Sequence, residues 1–188
     1  MELFDICDEA GRPTGQTVSR EEAHRLGVRH RTAHVWIARR HAGRLQVLLQ
    51  RRSPDKDSFP NQWDTSSAGH IPAGDEPLES ALRELREELG LTAAPEALRF
   101  IGTFDVRFER QFHGAWFRDN ELAHVFLYPG PVDTAALTLQ AEEVSAVDWF
   151  DLERVVAACT VREDWCCVPS AGILLLADFL AAHPDAVR

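Results

Sequence analysis

Residues 69–91 read GHIPAGDEPLESALRELREELGL, and this stretch decides the fold. Pro77 suits the first turn of a helix, where its missing N–H has no partner to lose, and Asp75 or Glu76 offers a carboxylate to the positive helix end. Leu78, Ala81, Leu82, Leu85 and Leu89 recur at helical spacing and make one apolar stripe. Gly90 is placed to end the helix in the left-handed conformation. Glu84, Glu87 and Glu88, at i, i+3 and i+4, share a different face. Carboxylates so crowded repel one another unless a cation lies between them, and hard oxygen donors of this kind suit Mg²⁺ or Mn²⁺. Arg83, one turn before Glu87, is placed to hold that carboxylate by an i, i+4 ion pair.

Around this helix the chain reads as one α/β domain spanning residues 1–188, a mixed sheet between helices. Hydrophobic residues make up 45% and charged residues 27%, which is a globular balance. The N-terminus has no basic stretch followed by an apolar one, and no apolar run approaches the roughly 18–20 residues of a membrane helix, so a cytoplasmic protein without a membrane partner is expected. Cys7, Cys159, Cys166 and Cys167 lack zinc-ligand spacing and read as reduced thiols. The net charge of −10 argues against a nucleic-acid partner, so a phosphate-bearing ligand must be drawn in by local cations.

Before the helix, Glu2–Cys7 alternates as a short strand, residues 8–15 carry turn chemistry, and Gln16–Val18 returns as the second arm of a hairpin. Ser19 with Glu22 forms a capping-box pattern for a short helix through His24. Arg31–Ile37 and Leu45–Gln50 read as strands, and Arg51–Trp63 as a loop. After the helix, Leu98–Phe108 and Glu121–Tyr128 read as strands joined by an aromatic-rich connection with Phe108, Phe112, Trp116 and Phe117. Those rings either cover a substrate or anchor a loop on the core. Val144–Phe150 is a further strand, Leu152 starts a helix, and Ser170–Ala182 is a closing apolar helix. His34 and His124 sit along strands and read as packing or solvent-facing residues, and Trp63 and Trp149 as core.

Gly69, Arg83, Glu84, Leu85, Glu87, Glu88, Gly90 and Leu91 match the pattern G-x5-E-x7-R-E-U-x-E-E-x-G-U, with U aliphatic, so the stretch resembles a Nudix box. One fixed position departs: Asp75 stands where the family has Glu. The resemblance implies a Nudix-type α/β/α sandwich with a mixed β-sheet, here preceded by a hairpin and helix extension over residues 1–30. It also implies a divalent metal held by Glu84, Glu87 and Glu88, and hydrolysis of a diphosphate linkage. Further matches, the EEAH helix, RRSPDKDSFPNQW, SSAGH and DNEL, are similar to isopentenyl-diphosphate isomerase and the hydrolases nearest to it. That second likeness implies a metal set of His24, His30, His70, Asp119 and Glu121, with Arg52 and Lys56 on the diphosphate. The isomerase places a cysteine just before its G/S-H pair for allylic proton transfer. This chain has Ala68 there, which can neither give nor take a proton.

The combined expectation is a Mg²⁺- or Mn²⁺-dependent Nudix diphosphohydrolase. Glu84, Glu87 and Glu121 are its catalytic candidates, with Glu87 or Glu121 taking the proton from water. Arg51, Arg52 and Lys56 are candidates for the substrate phosphates, Arg52 best by its bidentate fork. The expected substrate is a small molecule, a nucleoside di- or triphosphate or related nucleotide. An isomerase-like protein, disfavoured by Ala68, and a catalytically idle nucleotide binder are the alternatives. The oligomeric state is left open.

Overall fold

The computed structural model describes residues 2–187 and is organised by a central strand, β3 (His30–His41), within a seven-stranded mixed sheet. Residues 30–38 of β3 are all buried. Residues 35–38 are apolar, as expected of a strand covered on both faces, whereas residues 30–34 include His30, Arg31, Thr32 and His34. Polar groups are thus buried at one end of this core strand.

On one edge β3 runs parallel to β8 (Ala115–Tyr128), from His30 opposite Glu121 to Ile37 opposite Tyr128. On its other edge it pairs antiparallel with β6 (Ser67–His70) over Thr32–Val35 and then with β4 (Arg44–Arg52) over Ala38–His41. This change of partner leaves β6 at an edge beside the polar end of β3. Beyond β4 lie β5 (Trp63–Asp64) and β9 (Val144–Asp151), and β7 (Arg99–Phe112) closes the far side against β8.

Side chains alternate across the sheet with period two. Ala33, Val35, Ile37 and Leu48 face α2 (Pro77–Leu89) and meet Ala81, Leu85 and Leu89 there. Trp36, Val47, Leu49, Val125 and Leu127 face the other way, onto Leu152 and Val155 of α3 (Leu152–Val161) and Ile173, Leu176 and Leu180 of α4 (Ser170–Ala182). The result is the expected α/β/α sandwich. Full burial of each such aliphatic side chain contributes about 1.5–3 kcal/mol. Among the described residues no helix is long and apolar enough to cross a membrane, and all four cysteines are free thiols.

The N-terminal extension forms as expected: β1 (Leu3–Cys7) pairs with β2 (Pro13–Ser19), and Ser19 Oγ accepts from the Glu22 N–H at 3.3 Å to start α1 (Arg20–Leu26). Glu76 occupies the N-cap position of α2 and places a carboxylate at the helix start as expected, without a side-chain cap bond, and Asp75 lies 3.7 Å from Arg83. One local expectation is corrected. The aromatic-rich connection is no loop. β7 and β8 continue as a hairpin to Phe112 opposite Ala115, turning at His113 and Gly114 with φ of 49° and 82°. Strand periodicity was hidden because Arg110 interrupts the face that carries the rings, and exposed Trp116 the face that carries Arg107, Glu109 and Arg118.

Candidate active site

His24 of α1, His30 of β3, His70 of β6 and Glu121 of β8 converge, each offering a donor atom within 4.8 Å of the others. The sheet register explains why. His30 pairs with Glu121, and Thr32, two residues on and on the same face, pairs with His70. Four elements thus place their side chains at one corner.

Each donor is oriented from behind. His30 Nδ1–H donates to the Val28 carbonyl at 2.8 Å, which leaves the Nε2 lone pair turned into the cluster without a protein partner. Thr32 Oγ1–H donates to Glu121 Oε2 at 3.2 Å and frees Oε1, which lies 3.6 Å from the Nε2 atoms of both His30 and His70. His24 Nε2 is 3.3 Å from His70 Nε2 and 3.9 Å from Asp119 Oδ1, another buried oxygen without a hydrogen bond. Burial pushes the His24 imidazole down to about 4 and His70 well below its ordinary value, so both stay neutral with lone pairs available. Of the two carboxyls, Asp119 is the one pushed up, by burial and then by the charge of Glu121. Burial also opposes ionisation of Glu121, but His30 and His70 in their protonated forms supply a hydrogen bond and positive charge that outweigh it and hold it low. Donors about 2.1 Å from a cation in a tetrahedral or octahedral array stand about 3.0–3.5 Å apart. The separations and the orphaned His30 Nε2 and Asp119 Oδ1 therefore fit a divalent metal.

The acidic helix face is arranged differently. Glu84 lies against Gly69, where a Cβ would come within 2.2 Å of its Cδ, so only glycine lets the helix approach the strand. Arg83 donates to Glu84 Oε1 at 2.7 Å and to the His70 carbonyl at 2.9 Å, with Glu87 more distant at 3.8 Å. The expected Arg83–Glu87 pair is thus secondary: buried Glu84 needs the cation, and half-exposed Glu87 has water. Glu88 is buried and accepts from the Ala68 N–H at 3.2 Å and from Gln50 Nε2 at 3.4 Å. Burial, followed by the charge of Glu84, lifts the Glu88 carboxyl to about 8; burial also raises Glu84.

Both groups open onto one cavity of about 1120 Å³. Its lining includes His24, His70, Glu121 and Asp119 as well as Glu84, Glu87 and Glu88, with Ala68 between them. Arg52 and Lys56 also reach it, but neither is a free cation. Arg52 donates to Ser58 and to Asp64 at 3.2 Å, and Lys56 is ion-paired with Glu143. Arg51 is exposed, lies outside that lining and donates to the Asn61 carbonyl. The inner face of the β7–β8 hairpin supplies the remaining wall. Phe108 lies opposite Asp119 and Arg110 opposite Phe117, so the rings continue outward along the face that carries Glu121. Phe59 packs edge-on against Phe108 and Phe112 from the 51–63 loop. His34 is buried edge-on against Phe104, 5.4 Å away. Sequence reasoning missed Thr32, Gln50, Phe59 and Phe4. Only Thr32 left a signal, by sharing the alternation of His30; the others depend on chain segments far away in sequence.

A model of the NUDIX domain family matches residues 28–170. The chain belongs to this family. Nudix hydrolase 3 of Arabidopsis thaliana is 46% identical over 155 residues, covering 81% of this chain and 20% of that protein. An uncharacterized Nudix hydrolase of Clostridium acetobutylicum is 40% identical over 154 residues, covering 82% of this chain and 72% of the relative. The chain therefore spans only a fifth of the plant relative. Among solved structures, a Deinococcus radiodurans protein superposes with a TM-score of 0.67 at 20% identity, covering 94% of this chain and 98% of that one. The Ap4A hydrolase of C. elegans superposes with a TM-score of 0.54 at 22% identity, covering 81% and 98%. At these identities the superpositions speak for the fold alone.

Proposed function

We propose that this Nudix protein is a Mg²⁺- or Mn²⁺-dependent diphosphohydrolase acting on a small molecule, a nucleoside di- or triphosphate or related nucleotide. The observation that carries the reading is the single cavity lined by both the acidic helix face and the histidine cluster. Glu84, Glu87 and Glu88 are the ligands proposed for one metal; His24, His30, His70, Asp119 and Glu121 are those proposed for a second. When bound, a divalent cation draws charge off the diphosphate and makes water a better nucleophile.

The roles of the residues follow from their surroundings. Glu87 has 49% of its side chain exposed, against 10% for Glu121, and Glu121 is engaged by Thr32 and two imidazoles. Of these two, Glu87 is therefore the carboxylate open to solvent and the better placed to take a proton from water. Glu88 is held by Ala68 and Gln50, and Arg83 fixes Glu84 to the strand bearing His70. With Arg52 and Lys56 already paired, phosphate is drawn in chiefly by bound cations. Binding of phosphate by either side chain requires exchange of its carboxylate partner. The aromatic wall offers flat faces to a base.

Ala68 lies on the cavity wall where an isomerase needs an acid or base, so proton transfer at carbon has no group to perform it there. The decisive experiment is a screen of diphosphate compounds with Mg²⁺ or Mn²⁺, products being identified by mass. Cleavage of a nucleoside diphosphate linkage is expected. Turnover of no diphosphate sinks the hydrolase reading in favour of an idle binder, and conversion of isopentenyl diphosphate to its dimethylallyl isomer replaces it by the isomerase.

A further inference from the structure

We infer that Phe4 is a positioning residue for the histidine cluster: its ring, delivered by the N-terminal hairpin, sets the planes of His30 and His70 so that their Nε2 atoms converge on Glu121. The inference rests on the reading of that cluster as a metal site.

The geometry is specific. The Phe4 ring lies 4.9 Å from His30 at an interplanar angle of 14°, and 4.5 Å from His70 at 15°. The two imidazole centroids are themselves 5.3 Å apart. A phenyl sandwiched between them would hold them roughly 9 Å apart, twice an offset-stacking distance. One phenyl ring therefore backs both imidazoles at once. An imidazole lone pair lies in the ring plane, so whatever fixes the plane also aims the donor.

His30 has a second restraint in its Nδ1–H bond to Val28. For His70, no bond to Nδ1 is found among the described residues, so ring contact does most of the orienting. Phe4 is fully buried and lies outside the cavity lining, so it can act only through the histidines. Its own place is set by the backbone. Phe4 is opposite Val18 in the β1–β2 hairpin, bridges Pro72 just beyond His70, and is followed across that junction by the Ala73 N–H donating to the Leu3 carbonyl at 2.8 Å. Val18 and Ala23 complete the small apolar cluster around it. The extension is thereby part of the site twice over, supplying His24 as a donor and Phe4 as the backing for two others.

The test separates aiming from mere stability. Mn²⁺ is titrated into wild type, Phe4→Leu, Phe4→Tyr and Val18→Ala, and pulsed EPR reads the ¹⁴N coupling that only imidazole-bound Mn²⁺ shows. Thermal melts of the metal-free proteins confirm folding. Phe4→Leu is expected to weaken the nitrogen-coordinated Mn²⁺ by about 10-fold, the scale of losing an orienting partner behind a ligand. Phe4→Tyr, which keeps the ring, is expected to retain the affinity. Val18→Ala, which loosens the same apolar cluster but removes no ring stacked on an imidazole, is expected to lower the melting temperature and leave Mn²⁺ binding unchanged. Unaltered binding in Phe4→Leu overturns the inference, as does an equal loss in Val18→Ala. Wild type without ¹⁴N coupling instead overturns the metal reading beneath it.

Discussion

The acidic helix and the histidine cluster face the same cavity but are built in opposite ways. Glu84, Glu87 and Glu88 lie within five consecutive residues, and helical geometry alone brings them together. His24, His30, His70 and Glu121 come from four elements, and nothing short of sheet registry unites them. The helical set keeps one carboxylate half in water, whereas the histidine set is almost wholly buried and oriented from behind by Val28, Thr32 and Phe4. A locally encoded site tolerates looseness because its ligands move as one rigid helix. An assembled site has no such backbone and requires packing to define it.

The largest expected effect tests the helical set. Glu88→Gln keeps shape but removes a negative charge, and kcat should fall by at least ~10²-fold with the fold intact. Near wild-type kcat at saturating Mg²⁺ would remove Glu88 from the chemistry. Next comes the assembled set: His30→Gln should weaken metal binding at the histidines by about 10- to 100-fold, read as loss of one bound equivalent, while the helix-bound metal remains. Loss of both equivalents would show the two groups to be one site.

A third outcome concerns stability in the chelated protein. Glu88 is lifted to about 8 in the fold against about 4.5 when unfolded, so between those values the folded state binds more protons. Wild-type stability therefore falls as pH rises through that window, and a glutamine, which does not titrate, escapes the loss. At pH 7 chelated Glu88→Gln should be the more stable by about 3 kcal/mol. Equal unfolding free energies at pH 7 would mean that Glu88 is already ionised at no cost. The smallest effect belongs to the hairpin tip: Phe112→Leu should raise KM about 3-fold with kcat retained, the scale of one aromatic contact. A fall in kcat instead would place the wall in contact with the reacting group.

Legibility followed the same division. The α2 stripe, its stop at Gly90 and the capped α1 were readable because each depends on neighbours one turn away. Glu84, Glu87 and Glu88 were readable for the same reason. The histidines entered only through resemblance, since positions 24, 30 and 70 have no common local periodicity. Arg52 and Lys56 looked like free cations, yet Asp64 and Glu143 partner them across tertiary contacts. The β7–β8 hairpin reads as a connection in the sequence because Arg110 among the inward rings and Trp116 among the outward charges break the alternation that marks a strand.

The sequence by itself determined the acidic helix with its stop at Gly90 and the absence of a cysteine at position 68, and through its family resemblance implied a Nudix-type α/β/α sandwich. The first two rest on local spacing and residue identity. Only the tertiary structure decided that Thr32 frees one Glu121 oxygen, that Phe4 backs two imidazoles, and that Arg83 rather than a bare helix face joins Glu84 to the His70 strand. Such contacts form between segments tens of residues apart, and their partners are chosen by register and burial, which no local pattern encodes.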